Sequence, residues 1–285
     1  MKTLSYPRDE PLGTTVTFAA PPLASPDGCI CLVPPGVAKD AVVQLARKWN
    51  VRRPSGWAPQ AWEDRVAGRI AVSAAYLAHA SCSGIHHVAT KAMRHFASLY
   101  ACVTDTSHIS IAHSNGWGAG ACARSAVGLD IEIVRALSRE VIDRVAEAEE
   151  LDEIRCWRAN PFDQAFWLLW TLKEAGAKVG GRLVPPQQVR TIGTFRHGVK
   201  LARPDGLQLH GRCYGDGNAV LAVAWPSAAG SQMRFEWCLV EKWTGLKFHL
   251  VSLPTTEREA EASQSSARGI WEATGKICHA PTKRA

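Results

Sequence analysis

The chain has no CxxC pair and no HExxH spacing, although it carries nine cysteines and ten histidines among its 285 residues. That excludes a zinc ribbon, a thioredoxin-type redox motif and a helix-borne zinc protease site. Only Cys29 and Cys31 lie close together, so the cysteines read as reduced, buried small hydrophobes. No apolar run approaches the roughly 18 residues of a membrane helix. The start, MKTLSYPRDEPLG, has no apolar core after its lysine, so no secretory signal is expected and the location expected is cytoplasmic. There is no short tandem repeat, and no Ser-His-Asp or Cys-His arrangement that would mark a nucleophile of the chain's own.

What is present is an ordinary globular composition, 46% hydrophobic and 21% charged, which excludes collagen, coiled coil and wholesale disorder. The length allows one large domain or two small ones. Lys plus Arg is 33 against 26 Asp plus Glu, a net charge of +7. That excess favours anionic partners: nucleic acid, a phosphorylated cofactor or an acidic protein.

Residues 1–60 are rich in proline, with short apolar runs such as Cys29 to Val33 that suit strands. A basic cluster, Arg47, Lys48, Arg52 and Arg53, is interleaved with Trp49 and Trp57. Residues 61–81 recur in small and apolar side chains at three and four, which predicts a helix. HISIAH, 108–113, alternates as a strand does, a glycine-rich turn follows at 115–120, and 126–134 reads as another strand. Ser138 to Glu150 predicts a helix with Ser138 as N-cap and Glu140 and Asp143 near its positive end. The clearest helix is NPFDQAFWLLWTLKEAGAKVGG: Asn160 caps it, Pro161 opens it, and Gly180 and Gly181 end it. Its apolar middle predicts burial on most sides. Residues 206–225 suggest two strands around Gly215-Asp216-Gly217, and 253–285 is polar and pattern-free, as a mobile tail is.

Three segments carry candidate chemistry. In GLDIE, Asp130 and Glu132 are two apart, so a strand points both carboxylates to one face. They can bind a hard cation such as Mg²⁺ or line a solvated face. In WTLKEAGAK, Glu174 and Lys178 share a helix face beside Lys173. They form either an i,i+4 salt bridge or a metal ligand flanked by phosphate-binding lysines. In SIAHS, His113 ends a strand, where an imidazole, hydroxyls and backbone amides can meet a phosphate, or where a histidine simply packs.

Taken together, GLDIE, WTLKEAGAK and SIAHS resemble the 4′-phosphopantetheinyl transferase superfamily. Its members have a (V/I)G(I/V)D(I/V)E strand, a later (W/F)(S/T/C)xKExxxK helix and an upstream S(I/L)(S/A)HS strand. The order and spacing are most similar to the surfactin-synthetase-activating type. The resemblance implies an α/β (α+β) fold of two similar halves related by a pseudo-two-fold: 1–124 and 125–252, the second carrying the metal motifs, with 253–285 as the tail. It implies a magnesium-dependent enzyme that moves 4′-phosphopantetheine from coenzyme A to a serine of an acidic acyl or peptidyl carrier domain. Adenosine 3′,5′-bisphosphate leaves.

 

The two fused halves imply that a monomer is sufficient. Carried over residue by residue, the resemblance makes Asp130, Glu132 and Glu174 ligands of Mg²⁺. Lys178, supported by Lys173, and His113 contact the coenzyme A phosphates. Glu150, between the two metal motifs, is the implied general base, with Glu147 and Glu149 as near alternatives. The superfamily's upstream G-(K/R)-P segment is missing here, where Lys91 or Arg94 are the nearest substitutes. Arg47, Lys48, Arg52, Arg53, Arg65 and Arg69 are candidates for the 3′-phosphate. Two other readings stay open. One is a relative that binds coenzyme A or a carrier domain without turnover. The other is a basic nucleic-acid-binding protein or Mg²⁺ nuclease, for which no zinc finger, RNA-recognition signature or basic-aromatic repeat speaks.

Overall fold

The structure is a computed structural model that describes residues 15–18, 26–49, 53–82, 107–152, 162–181, 184–195, 198–215, 218–244 and 247–252. Asn160, Pro161, Lys91, Arg94, Arg52 and the expected tail 253–285 lie outside them, as does most of the turn at 216–217. Two sheets form the centre. The first has six strands in the order β1 (Thr15–Phe18), β11 (Lys247–Ser252), β10 (Phe235–Trp243), β2 (Gly28–Val33), β4 (Trp117–Ala123) and β3 (His108–Ser114). The second has five: β5 (Gly128–Ile133), β9 (Ala219–Pro226), β8 (Gln208–Gly215), β7 (Gly198–Ala202) and β6 (Arg190–Phe195).

Strand alternation builds the layers. On β2, Cys29, Cys31 and Val33 pack toward the helices α1 (Pro35–Trp49) and α2 (Pro59–Cys82), while Ile30 and Leu32 join the core between the sheets. On β5, Leu129 and Ile131 enter that same inter-sheet core. The even-numbered face of β5 turns instead to α4 (Phe162–Lys178), which covers the second sheet through Phe166, Leu169, Leu172 and Ala175. The described cysteines Cys29, Cys31, Cys122, Cys213 and Cys238 are buried and not joined in disulfides. Among the described residues no helix is long and apolar enough to cross a membrane.

Several elements depart from the sequence reading. Helix α1 was not anticipated, because the proline-rich setting obscured its apolar spacing. The expected glycine-rich turn is confined to Asn115 and Gly116; Gly118 and Gly120 belong to β4. A Cβ on Gly120 would lie 2.1 Å from the Val72 backbone nitrogen, so glycine there lets α2 rest directly on the sheet. The Ser138 helix is shorter than expected: α3 runs over Arg139–Val145, Ala146 is extended, and a separate helical turn covers 148–152. Ser138 has extended dihedrals but makes no side-chain cap bond. The two C-terminal strands, placed by sequence with the second half, pair in the first sheet, β10 running parallel to β2. Apolar Phe235, Trp237 and Leu239 complete the inter-sheet core there.

Gly128 sets how closely α4 meets β5. A Cβ at this position would lie 1.9 Å from the carbonyl oxygen of Ala175, so any side chain pushes helix and strand apart. Gly128→Ala is expected to cost roughly 1–3 kcal/mol through overpacking. Gly36→Ala, with nothing within 4 Å of the new Cβ, serves as the neutral comparison. Urea unfolding midpoints of the two variants check this; equal midpoints would contradict the close packing described.

Candidate functional site

On β5 the L-D-I-E alternation sends two carboxylates under the edge of α4. Asp130 is 5% exposed, Glu132 half-buried. On α4 the partly exposed side chains Trp170, Glu174 and Lys178 recur every four residues and form one stripe on a helix whose other side chains from Ala165 to Lys178 are buried. Gly128 under Ala175 brings that stripe to β5. The Lys178 ammonium then donates to Asp130 Oδ1 at 2.7 Å and lies 4.0 Å from Glu174 Oε2.

The charge balance of this group is uneven. Asp130 Oδ2 is buried and, among the described residues, has no hydrogen-bond partner. Burial pushes the Asp130 carboxyl up to about 7; Lys178 opposes the rise, and Glu132 and Glu174 add to it. Burial also raises the Glu174 carboxyl, again against Lys178 and with Glu132. Three carboxylates thus share a site with one ammonium. Among the described residues no three His, Cys, Asp or Glu side chains form a ready-made metal cage. The donors nevertheless fit a hard divalent cation: they are oxygens, one is buried and unpartnered, and their negative charge exceeds that of the lysine beside them. Magnesium is commonly held by one or two carboxylates together with substrate phosphates and water, which needs no cage made wholly of protein.

His113 is the penultimate residue of β3 and is exposed. Desolvation sets its imidazole below the ordinary value; Asp64 works against that, while Lys178 and Arg65 add to it. The histidine therefore feels both the α4 lysine and the start of α2. Asp64 accepts the Gly116 N–H and a bond from Gln60, which holds the β3–β4 turn against α2. Arg65 is exposed with its guanidinium 5.2 Å from the Trp57 ring centroid. Of the basic residues suggested by sequence, Arg53 instead donates to the Trp57 carbonyl, and Arg47 is exposed on α1.

Glu150 and Lys173 are brought together, apart from that group. Lys173 is 1% exposed, and its ammonium donates to Glu150 Oε2 at 2.5 Å and to the Val145 carbonyl at 3.4 Å. Glu150 Oε2 also accepts the Glu147 N–H at 3.3 Å, and Oε1 accepts the Thr191 N–H at 3.0 Å. Both oxygens are thus engaged. The pair ties α4 to the break after α3 and to the edge strand β6. Of the alternatives to Glu150, Glu147 is exposed and paired with Arg190, and Glu149 is exposed.

Other residues of the site escaped the sequence reading. Trp167 donates its indole N–H to the Arg135 carbonyl, anchoring the segment after β5 to α4. The buried Arg203 donates to the Val179 carbonyl and is held by Asp205, so it closes the helix end next to Lys178. The hydroxyls of SIAHS, open in sequence to meeting a phosphate, are used by the structure between strands. Ser110 Oγ accepts the Leu129 N–H at 2.9 Å, and Ser114 Oγ accepts the Ile133 N–H at 3.4 Å. Their shared four-residue step was the available signal.

Residues 126–223 match the family model described as ACPS, the 4′-phosphopantetheinyl transferase superfamily. The match runs from just before β5 into β9. It contains Asp130, Glu132, Glu150, Lys173, Glu174 and Lys178, and leaves His113 outside. The chain is 31% identical over 75 residues to the 4′-phosphopantetheinyl transferase psf-1 of Bacillus pumilus, covering 26% of this chain and 32% of that one. It is 28% identical over 83 residues to the 4′-phosphopantetheinyl transferase ffp of Bacillus subtilis, covering 28% and 37%. The chain thus spans about a third of the length of these curated relatives.

The raised Asp130 carboxyl has a consequence for stability. Its folded-state value of about 7 exceeds the ordinary 3.8, so between these values the folded chain binds more protons than the unfolded one. Stability is then full below the ordinary value and declines as pH rises through the window, by at most about 1.4 kcal/mol per pH unit. In chelator, the thermal midpoint is expected to fall between about pH 5 and about pH 7, and Asp130→Asn to flatten that fall. The same slope in the variant would remove Asp130 as its source.

Proposed function

We propose that this chain, which carries a 4′-phosphopantetheinyl transferase superfamily domain over residues 126–223, is an enzyme that transfers 4′-phosphopantetheine from coenzyme A to a serine of an acyl or peptidyl carrier domain. The observation that carries the proposal is the meeting of Asp130, Glu132, Glu174 and Lys178 within the matched segment. In this reading Asp130, Glu132 and Glu174 hold Mg²⁺. When bound, that ion supplies charge neutralisation and Lewis acidity at the pyrophosphate. Lys178, its side chain 24% exposed, places a fixed positive charge where the leaving phosphate gains negative charge. His113, close enough to Lys178 to feel its charge, donates to a coenzyme A phosphate. Arg65 is the favoured first-half cation, for the same electrostatic reason. The nucleophile belongs to the carrier serine, and the net charge of +7 favours encounter with an acidic domain.

The pseudo-two-fold of two halves is part of the proposal: each sheet carries a long helix, α2 on the first and α4 on the second, and their edges meet at β3 and β5. A single chain then supplies both sides of the cleft. In this reading the halves divide near residue 125, with β10 and β11 returning from the second stretch of chain to pair in the first sheet. A cytoplasmic location follows from the substrates proposed. Lys173 is assigned to holding Glu150 and α4, since its ammonium is buried. Glu150 is likewise assigned a holding role in preference to that of base, since three donors, the Lys173 ammonium and two backbone N–H groups, occupy its oxygens.

Carrier-protein mass gain with coenzyme A at several Mg²⁺ concentrations tests the reading. Glu174→Gln is expected to lower turnover at least 10²-fold and to weaken the Mg²⁺ dependence, in the range of losses seen for transition-state electrostatics. No mass gain by the wild-type chain on any of several carrier domains, with coenzyme A still bound, would favour a binding-only relative. Glu150→Gln separates its two roles. Loss of roughly 3–5 kcal/mol of stability, as when a buried ion pair loses one partner, with turnover per folded molecule near wild type, supports holding. Unchanged stability with turnover down roughly 10²–10⁴-fold would return the base role to Glu150.

A further inference from the structure

Strands β3 and β5 are edges of different sheets, yet they run side by side joined by two serine hydroxyls. Ser110 and Ser114 sit four residues apart, and each accepts a backbone N–H from β5, from Leu129 and Ile133, also four apart. At this joint the hydroxyls stand where a sheet would use backbone carbonyls. The two serines differ in what they do with their hydrogen. Ser114 Oγ donates to Glu132 Oε2 at 2.9 Å. A hydroxyl has one hydrogen and two lone pairs, so the Ile133 N–H occupying a lone pair helps aim that hydrogen at the carboxylate. Among the described residues, nothing donates a hydrogen bond to Glu132 Oε1.

We infer that Ser114 is a positioning residue for Glu132: it turns the carboxylate so that Oε1 remains available to the divalent cation. The inference rests on the proposed reading of the site. It also gives the joint a second purpose. His113 precedes Ser114 directly, so the strand that carries the phosphate-contacting imidazole also orients a metal-facing carboxylate on the other sheet. A shift of β3 relative to β5 would therefore disturb both contacts together. Ser110 provides the comparison, because it makes the same strand link and has no carboxylate to orient.

The experiment is a Mn²⁺ titration of the full chain, with and without coenzyme A, following free Mn²⁺ by electron paramagnetic resonance. Ser114→Thr keeps the hydroxyl; Ser114→Val has nearly the same shape without it, and both suit a strand. The Val variant is expected to bind Mn²⁺ roughly 10–100-fold more weakly than the Thr variant, the usual cost of losing a partner that orients a ligand. The Thr variant should stay near wild type. Ser110→Ala should lower the melting temperature and leave Mn²⁺ affinity as it is. Equal affinities for the Thr and Val variants would overturn the inference while leaving the site intact. So would a loss in Ser110→Ala as large as in Ser114→Val, because the effect would then belong to the strand link. Absence of saturable Mn²⁺ binding by the wild-type chain overturns the reading of the site itself, and the inference with it.

Discussion

The closeness of α4 to β5 is the constraint on which the site depends. At Gly128 the helix backbone occupies the space a side chain would need, and two residues along the same strand face is Asp130. A helix this near a strand leaves little water between them, so the Asp130 carboxyl is buried and its charge is costly. One ammonium, Lys178, reaches it from the helix's partly exposed stripe. The same approach sets Glu174 beside Lys178. Packing thus creates an electrostatic imbalance, and the imbalance makes the place suited to a cation.

Two further contacts keep that arrangement in place. Trp167 ties the segment leaving β5 back onto α4, and the buried Lys173–Glu150 pair links the helix to the break after α3 and to β6. Buried ion pairs contribute little net stability over apolar residues of similar volume, but losing one partner is expensive. Their effect here is to fix the angle at which α4 crosses the sheet. Arg203 does related work at the helix end, occupying a carbonyl one residue beyond Lys178.

The other side of the site comes from the first sheet. Its core is shared with the second sheet: Ile30, Leu32 and Trp237 pack with Leu129, Leu221 and Val223. That common core holds the edges β3 and β5 together, and the serine hydroxyls complete the joint. His113 and Glu132 belong to different sheets, so neither sheet alone would bring an imidazole and the acidic group into one place. The return of β10 and β11 to the first sheet adds to this, because the chain closes around the contact between the sheets.

Local chemistry was legible in the residues. The period-two alternation of GLDIE announced a strand with both carboxylates on one face, and Gly180 and Gly181 marked the end of α4 at Lys178, where both adopt positive φ. The i,i+4 step of Glu174 and Lys178 follows from helical geometry alone, and the three motifs together pointed to a superfamily that the matched segment supports. Other features depend on partners far along the chain. The resemblance implied a general base at Glu150; tertiary packing put the Lys173 ammonium and two N–H groups on its oxygens. Gly118 and Gly120 read as turn residues, because glycine shows the same letter in a turn and beneath a crossing helix. Ser114 gave no hint that its hydrogen would meet Glu132, since that contact joins two sheets through a core contributed by both. Periodicity is a property of neighbouring residues and is visible in sequence. Which carboxylate is paired and which is left short of positive charge is decided only when distant elements close together and exclude water.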